Sequence, residues 1–245
     1  MPPRVITLYH SPALFGIPSL SPFGTKVETY LRMVDLPYRT RSGDPRRGPK
    51  GKIPYIELDG RTISDSSDIL DALKARHPHT LDDHLTPAQR AVGLTARRAL
   101  EEHLYWVVVY ARWIEPSGWR YTEPYFRKIL PPVIGPLLLD KVVRRMLRRT
   151  LHGQGLGRHS REDLYRRGCE DVDAIAELLA DQPFFLGERP TTVDCSVFAF
   201  TSALLMHPAD NPLKQRMAGH ANLVAYNDRV YGRYFGDHPP GSSGP

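Results

Sequence analysis

Apolar and polar positions follow two different patterns along this chain, with short β-type runs first and helical periods afterwards. Residues 5–9 form a short run of β-favouring side chains, which predicts a strand. Ser21 is a favoured helix N-cap, and Pro22 suits the first helical position. Apolar side chains then recur with a period near 3.6, at Val27, Tyr30 and Leu31. The pattern therefore predicts a strand, an irregular loop over residues 10–20 and a helix.

A second strand, a hairpin and a second helix are predicted next. Residues 37–41 suit a strand, and the runs 53–58 and 61–63 flank Asp59-Gly60, a strong signal for a type I′ hairpin turn. Residues 64–77 have helical spacing. This order of strands and helices is typical of a thioredoxin-like sheet. The polar residues 78–87 include two prolines and predict a linker.

Beyond the linker, every strong pattern is helical. Residues 88–114 form one long amphipathic segment, and residues 138–151 place Val142 and Met146 on an apolar face with arginines facing out. Ser160 and Thr191 each begin a capping-box pattern that predicts a helix start. A last helix is predicted over 222–234. We therefore predict an α/β plus all-α protein, with a thioredoxin-like domain over 1–83, an all-helical domain over 84–236 and a disordered tail over 237–245.

Composition and charge narrow the functional class. The 245 residues are 24% charged and 41% hydrophobic, as in an ordinary soluble protein. The formal charge of +6 comes from scattered basic residues without a nucleic-acid-reading motif, so no nucleic-acid partner is predicted. A positive field still attracts anionic ligands. There is no signal-peptide pattern and no run of about 18 apolar residues, which predicts a cytoplasmic protein without an integral membrane segment.

Cysteine and histidine positions do not predict a disulfide or a metal site. Cys169 and Cys195 are far apart and in no metal-binding spacing, which argues against a disulfide framework. A stretch near the linker resembles a metal site by composition alone, with His77, His79, Asp82, Asp83 and His84. We predict no metal.

Four motifs, in order, carry a family resemblance. Ser21-Pro22-Phe23-Gly24 opens the first helix, Ile53-Pro54 begins a strand, and Asp65-Ser66 begins the second helix. Gly187, Pro190, Thr191 and Asp194 match a Gly-x-x-Pro-[Ser/Thr]-x-x-Asp signature. Together they resemble the glutathione transferase superfamily. Residues 21–33 and 153–160 are similar to its bacterial-type failed-axon-connections and metaxin-like branch. The resemblance covers residues 4–236 and implies a glutathione-transferase C-terminal domain.

The resemblance implies two candidate functions. Bacterial members of the branch are assigned as glutathione S-transferases, which conjugate glutathione thiolate to a small apolar electrophile such as an epoxide, aryl halide or activated alkene. Metaxins are non-catalytic import and scaffold proteins, so a binding protein with a vestigial thiol site is the alternative. The family also implies a homodimer. The thiol is expected to be glutathione or another low-molecular-weight thiol.

The sulfur contact has two candidate residues. Ser21 and Gly24 occupy the places of the two cysteines in the redox Cys-Pro-x-Cys motif, so disulfide exchange through that motif is excluded. The resemblance implies that Ser21 donates a hydrogen bond to the glutathione thiolate at a helix N-terminus. Its alternative role is that of a plain N-cap. Tyr9, at the end of the first strand, is the competing catalytic residue, and its alternative role is core packing.

The remaining thiol contacts follow from the same resemblance. Pro54 matches a cis-proline, after which the backbone of Ile53 is expected to pair with the ligand. Asp65 and Ser66 match the pair that holds the γ-glutamyl head, although either Ser64 or Asp65 also suits a simple helix cap. Lys52, or less favourably Lys50, is expected to bind the terminal glycine carboxylate; the alternative is a solvated loop charge.

A second pocket is expected between the two domains. Trp106, Tyr110 and Trp113 have i, i+4, i+7 spacing on one helix and suit either a core stripe or an apolar pocket wall. Phe15 and Ile17, in the loop before Ser21, are expected to close the pocket. The identity of the electrophile is left open because its pocket draws side chains from both domains.

Overall fold

The computed structural model describes residues 5–76, 81–129 and 139–236. Its first part contains a four-stranded sheet with the strand order β2-β1-β3-β4. Strand β1 pairs parallel with β2 and antiparallel with β3, and β3 pairs antiparallel with β4. The elements are β1 (Ile6–His10), α1 (Pro22–Met33), β2 (Tyr38–Ser42), β3 (Tyr55–Leu58), β4 (Arg61–Ser64) and α2 (Ser66–Arg76). The predicted thioredoxin-like arrangement is confirmed.

The hairpin between β3 and β4 has the predicted turn. Asp59 and Gly60 both have positive φ, at 51° and 77°, as a type I′ turn requires. One face of the sheet packs on α1 and α2 through a hydrophobic core that includes Leu8, Leu31 and Ile69. This packing places the N-terminus of α1 next to the C-terminal end of β1 in space.

The rest of the described chain is helical, as predicted. The helices are α3 (Pro87–Arg98), α4 (Tyr105–Val109), α5 (Pro116–Ile129), α6 (Arg145–Gln154), α7 (Arg161–Leu179), α8 (Thr192–Leu205), α9 (Pro212–Gly219) and α10 (Ala221–Phe235). The sequence pattern did not delimit α5 or α9. Pro116 and Pro212 stand at the first positions of these helices, which span 14 and 8 residues.

Two π-helical segments interrupt the long helix predicted over 88–114. They span Ala99–Leu104 and Tyr110–Ile114, on either side of α4. In the second, the Glu115 N–H donates to the Tyr110 carbonyl, five residues back, at 3.1 Å. Because a π turn contains an extra residue, each one rotates the following side chains to a different face. The face predicted from a strict α period is therefore displaced.

The helix predicted over 138–151 differs from expectation in the same way. A π segment, Leu139–Arg144, precedes α6, and residue 138 lies outside the described residues. Val142 and Met146, predicted on the apolar face, are 53% and 55% exposed. Arg144, predicted to face out, instead lies over the Trp119 ring and donates to the Trp113 carbonyl at 3.0 Å. The shift in helical phase therefore leaves two apolar side chains exposed and brings a guanidinium against an aromatic ring.

The predicted capping box is confirmed at Thr191, whereas at Ser160 only the serine half of the box forms and the Ser21 side chain makes no cap bond. The Ser160 hydroxyl accepts from the Asp163 N–H at the start of α7. At the start of α8, Thr191 and Asp194 form the reciprocal capping box. Asp194 is fully buried and also accepts from the Phe185 N–H at 2.8 Å and the Tyr226 hydroxyl at 3.0 Å. The signature motif therefore ties three segments of the helical part together.

Two hydrophobic clusters lie on either side of the predicted domain boundary at residue 83. One surrounds the sheet, and the other occupies the helices from Ala96 to Phe235. Cys195 of α8 belongs to the sheet-side cluster, where its sulfur lies 3.7 Å from that of Met33. The boundary itself stays a prediction, and the tail 237–245 lies outside the described residues.

Within the described ranges, no helix is long and apolar enough to cross a bilayer. Those ranges also contain no group of three or more His, Cys, Asp or Glu side chains arranged to hold a metal ion. His77 and His79 lie outside them.

Candidate active site

A cavity of about 160 Å³ lies at the start of α1, between the loop that follows β1 and the helical part of the chain. Its walls are mostly aromatic and aliphatic, with a few polar groups. They include three of the predicted residues, Ser21, Phe15 and Trp113. The other lining residues are Ser11, Leu14, Leu20, Pro22, Tyr105, Val108, Val109, Arg112, Tyr121, Thr122, Tyr125, Phe126 and His207.

The Ser21 hydroxyl does not cap α1. Ser21 has extended backbone angles, φ −89° and ψ 122°, and its side chain accepts no helix N–H. The Gly24 and Thr25 N–H groups bond to its carbonyl instead, and its own N–H donates to Ser19 Oγ at 3.3 Å. Among the described residues the hydroxyl has no hydrogen-bond partner. It therefore stands available at a helix N-terminus, on the wall of the cavity.

Gly24 allows α1 to begin this close to the loop. A Cβ at this position would stand 3.0 Å from the Cβ of His10 and closer still to Ser19 Oγ. Both neighbours are buried, so neither has room to move. Gly24 occupies the place of the second redox cysteine, and the lack of space for a side chain explains why a glycine stands there. It brings Ser21 against the end of β1.

Tyr9 points away from the cavity. Side chains alternate across a strand, and Leu8 faces the core beneath α1, so Tyr9 lies on the opposite sheet face. There it stacks on Tyr55 with ring centroids 4.6 Å apart. Burial, followed by a hydrogen bond to Glu57, raises the pKa of Tyr9. The two candidates for the sulfur contact therefore occupy opposite faces, and only Ser21 borders the cavity.

The Ile53–Pro54 peptide bond is cis and lies directly before β3. Pro54 is buried and Ile53 is half-buried. The Lys50 ammonium pairs with Asp68 at 2.6 Å. Lys52 is exposed and makes no ion pair with the part of the chain that the structure describes. Of the two lysines, Lys52 is therefore the one whose charge is not already matched.

Asp65 and Ser66 stand at the start of α2. Asp65 has a positive φ of 80°, and its Oδ1 accepts from the Ser67 N–H at 3.1 Å, so it does act as a cap. Ser66 is buried, and its Oγ accepts from Lys26 Nζ at 3.2 Å. Because the ammonium occupies a lone pair of that oxygen, the Ser66 hydroxyl hydrogen remains free to donate to an anion.

Lys26 is the centre of a buried network that the sequence pattern did not predict. Its Nζ lies 2.6 Å from Glu101 Oε1, and Glu101 accepts from the Ser196 hydroxyl at 2.7 Å. Ser67 Oγ accepts from both Lys26 and Arg97. Burial lowers the pKa of Lys26, and the attraction of Glu101 opposes that shift. The only sequence signal is a lysine directly before Val27 on the buried side of α1.

The aromatic stripe divides between the cavity and the core. Trp113 lines the cavity, whereas Trp106 packs against the helical core and Tyr110 donates to Glu115 at 3.1 Å. Ile17 is fully buried outside the cavity wall. The wall instead contains Tyr105, Val109 and Arg112, each one residue before a position of the predicted stripe. The sequence reasoning missed Arg112 and His207.

Comparison with known proteins identifies the family. Family models match two regions, the glutathione S-transferase N-terminal domain over residues 22–118 and the C-terminal domain over 168–230. The isoprene-epoxide–glutathione S-transferase of Rhodococcus sp. (strain AD45) is 34% identical over 94% of this chain and 99% of its own length. The chain belongs to the glutathione S-transferase family. The predicted family is thereby confirmed.

A second relative and a solved structure agree with this membership. Failed axon connections of Drosophila melanogaster is 33% identical over 95% of the chain and 59% of its own length, which confirms the predicted branch. The crystal structure of the β-etherase LigF from Sphingobium sp. strain SYK-6 aligns with a TM-score of 0.63, covering 93% of this chain and 95% of that one. At 18% identity, the latter likeness concerns the fold alone.

Proposed function

We propose that this chain is a thiol transferase that conjugates the thiolate of glutathione, or of a closely similar thiol, to a small apolar electrophile. One observation carries the proposal. The Ser21 hydroxyl lines the 160 Å³ cavity at a helix N-terminus, and no helix N–H or other described group uses it. A hydroxyl and exposed N–H groups at that end of a helix favour an anion, here the thiolate.

The residues around α2 fit the amino-acid head of such a thiol. The helix N-terminus, the free hydroxyl hydrogen of Ser66 and the nearby cations Lys26 and Arg97 all favour a carboxylate. The second oxygen of Asp65 is left to oppose an ammonium group. We assign the Ile53 backbone and the Lys52 ammonium to the rest of the thiol.

Stabilisation of the thiolate alone accelerates the reaction only slightly. Lowering a thiol pKa of about 8.5 by about 2 units raises the thiolate fraction at pH 7 roughly 25-fold. Nucleophilicity falls with basicity at a slope near 0.45, which removes roughly eight-fold. The net gain is about three-fold. Placement of the electrophile against the sulfur, and stabilisation of the charge that it acquires, must supply most of the acceleration.

The cavity limits the size and polarity of the electrophile. An apolar cavity of about 150 Å³ holds a molecule the size of benzene, and this one measures 160 Å³. Its walls include the rings of Phe15, Trp113 and Phe126. An epoxide, activated alkene or small aryl halide fits this description. The name of the 34% identical Rhodococcus relative specifies an epoxide, which supports that class.

The test combines thiol binding with a conjugation panel. Wild type should bind glutathione and conjugate at least one electrophile from the three classes. Ser21→Ala should lower the ultraviolet absorbance of bound thiolate at a given pH and reduce conjugation several-fold. Unchanged thiolate absorbance in the variant would remove Ser21 from the sulfur contact and return the role to Tyr9 or to backbone N–H groups.

The same panel decides between an enzyme and a binding protein. A protein with a vestigial site, as in the scaffold alternative, would bind no thiol and conjugate nothing. We also propose a homodimer, from family membership, and a cytoplasmic location. A monomeric mass by light scattering at micromolar concentration would contradict the dimer.

A further inference from the structure

We propose that Arg112 is a catalytic residue that binds the oxygen atom of an epoxide as it becomes an alkoxide, so that this site favours oxygen-containing electrophiles over halides. The proposal deepens and rests on the thiol-transferase function proposed above. Three observations on the cavity carry it: the unmatched charge of Arg112, its position beside Ser21, and the absence of acids from the wall.

The positive charge of Arg112 has no carboxylate partner among residues 5–76, 81–129 and 139–236. Its Nη1 donates to the Leu20 carbonyl at 2.6 Å, and its Nη2 donates to the Ala203 carbonyl at 2.7 Å. A guanidinium has five N–H groups, so three remain without an acceptor in those ranges. Two carbonyl dipoles fix the side chain in place, but they leave the charge uncompensated.

The contact with Leu20 places this charge beside the proposed sulfur site. Leu20 directly precedes Ser21, and all three residues line the same cavity. A substrate with its carbon at the sulfur would therefore have its neighbouring atoms within the field of the guanidinium. An epoxide has its oxygen on that neighbouring position, bonded to the carbon under attack.

The cavity wall contains no aspartate or glutamate in the part of the chain that the structure describes. Burial lowers the pKa of Arg112 to about 10, so the group remains cationic at neutral pH. A fixed charge in such a poorly solvated site interacts with a developing anion more strongly than it would in water. The unmatched charge is therefore complementary to a negative substrate atom.

His207 provides a second, neutral donor on the same wall. Its Nδ1 accepts from the Ala209 N–H at 3.1 Å, so the ring proton is on Nε2. Burial, together with repulsion from Arg112 and Lys214, lowers the pKa of His207 to about 3. The Nε2–H has no acceptor among the described residues. A neutral imidazole N–H beside a guanidinium is suited to an oxyanion rather than to an ammonium.

The chemical step balances without any further cofactor. The bound thiol has already released its proton to solvent, and its sulfur attacks one epoxide carbon. The C–S bond forms as the C–O bond breaks, and that electron pair stays on oxygen as an alkoxide held by Arg112. The alkoxide then takes a proton from water, giving a β-hydroxy thioether. Chloride, by contrast, leaves as a stable anion and needs little assistance.

A matched pair of electrophiles tests the charge on oxygen. Styrene oxide and benzyl chloride have similar size and ring, but only the first produces an alkoxide. Arg112→Gln should lower kcat/KM for styrene oxide about 100-fold, the effect of removing an oxyanion donor, and for benzyl chloride by less than about five-fold. Arg112→Lys, which keeps the charge, should retain part of the epoxide rate. Arg98→Gln removes an exposed charge at the end of α3 and is the control.

A binding measurement tests the same role without turnover. S-(carboxymethyl)glutathione and S-(carbamoylmethyl)glutathione differ only in whether the group beside the sulfur is an anion or a neutral amide. Wild type should bind the carboxylate at least about 10-fold more tightly, and Arg112→Gln should lose that preference while its circular dichroism and thermal unfolding stay close to those of wild type.

The outcomes separate the two proposals. Equal loss of both electrophile activities in Arg112→Gln, or an unchanged carboxylate preference, would overturn the role of Arg112 and leave the transferase function intact. If wild type conjugates neither electrophile yet prefers the carboxylate through Arg112, the anion site stands and the proposed reaction fails. Failure to bind either analogue contradicts both proposals.

Discussion

Two cations near the proposed thiol site, the buried Lys26 and the half-buried Arg112, have opposite surroundings. The Lys26 side chain is 1% exposed and pairs with Glu101, which is itself 6% exposed. Arg112 borders the cavity, and among the described residues its side chain has two backbone carbonyls as hydrogen-bond partners and no carboxylate. A buried charge without a counter-ion lowers stability unless a ligand provides one. The difference indicates that Lys26 serves the fold and that Arg112 serves the substrate.

The paired cation connects the two halves of the molecule. Lys26 lies on α1, Glu101 on the first π segment and Ser196 on α8. The same ammonium reaches Ser66 at the start of α2. Removal of one member of such a network leaves the other charge buried and unmatched. Stability and thiol binding are therefore coupled through Lys26, whereas Arg112 should affect the reaction more than the fold.

The first prediction tests this contrast at Glu101, where the largest effect is expected. Glu101→Gln keeps the shape of the side chain but leaves Lys26 without a counter-charge. The free energy of unfolding should fall by roughly 3–5 kcal/mol, measured by urea denaturation. Glu102→Gln is the matched control, because Glu102 is exposed and its ion pair with Arg98 lies at the surface. That change should cost less than about 1 kcal/mol.

A double variant sharpens the same prediction. Lys26→Met with Glu101→Leu removes both charges and should recover most of the lost stability. The reason is that replacing a buried ion pair by apolar side chains of similar volume often costs no stability. It should nevertheless bind glutathione more weakly than wild type, because Ser66 loses the ammonium that orients its hydroxyl. Similar stability for Glu101→Gln and Glu102→Gln would show that the Lys26–Glu101 pair does not stabilise the fold.

The second prediction concerns His207, which faces the unpaired cation. Its pKa is lowered from the ordinary 6.5 to about 3, so the unfolded chain binds more protons than the folded one between these values. Stability must therefore fall as the pH decreases below about 6.5. Between pH 7.5 and pH 5 this group should remove about 2 kcal/mol from the free energy of unfolding.

Urea denaturation at several pH values measures the effect. His207→Asn can still accept from the Ala209 N–H but cannot be protonated, so its stability should change less with pH than that of wild type. His152→Gln, an exposed position, should leave the wild-type dependence unchanged. Parallel curves for wild type and His207→Asn would show that the ring does not resist protonation, and the proposed preference of the cavity for an anion would lose one of its supports.

The sequence was informative wherever a short local signal determines the backbone. Ser21-Pro22 begins α1, Asp59-Gly60 forms the turn, and the Thr191 box begins α8. It was uninformative where the surroundings of a side chain depend on contacts between distant segments or on a change of helical period. The cavity wall contains Arg112 rather than Tyr110, and contacts of α1 with the first π segment and with α8 bring Glu101 and Ser196 to Lys26. Both cations escaped prediction for that reason.

The last prediction compares two serines at helix starts, and its effects are the smallest. Ser160 accepts from the Asp163 N–H at 3.1 Å, so Ser160→Ala should cost about 1 kcal/mol of stability. Ser21 accepts no helix N–H, so Ser21→Ala should change stability by less than about 0.5 kcal/mol.

Chemical denaturation measures both serine variants, and conjugation assays add the functional half of the comparison. Ser160→Ala should keep the activity of wild type, because Ser160 lies outside the cavity, while Ser21→Ala should lose activity and keep stability. A stability loss of about 1 kcal/mol in Ser21→Ala would mean that its hydroxyl caps α1 after all. In that event the hydroxyl is committed to the helix, and the thiolate would have to rely on the N–H groups at the start of α1 and on the charge of Arg112.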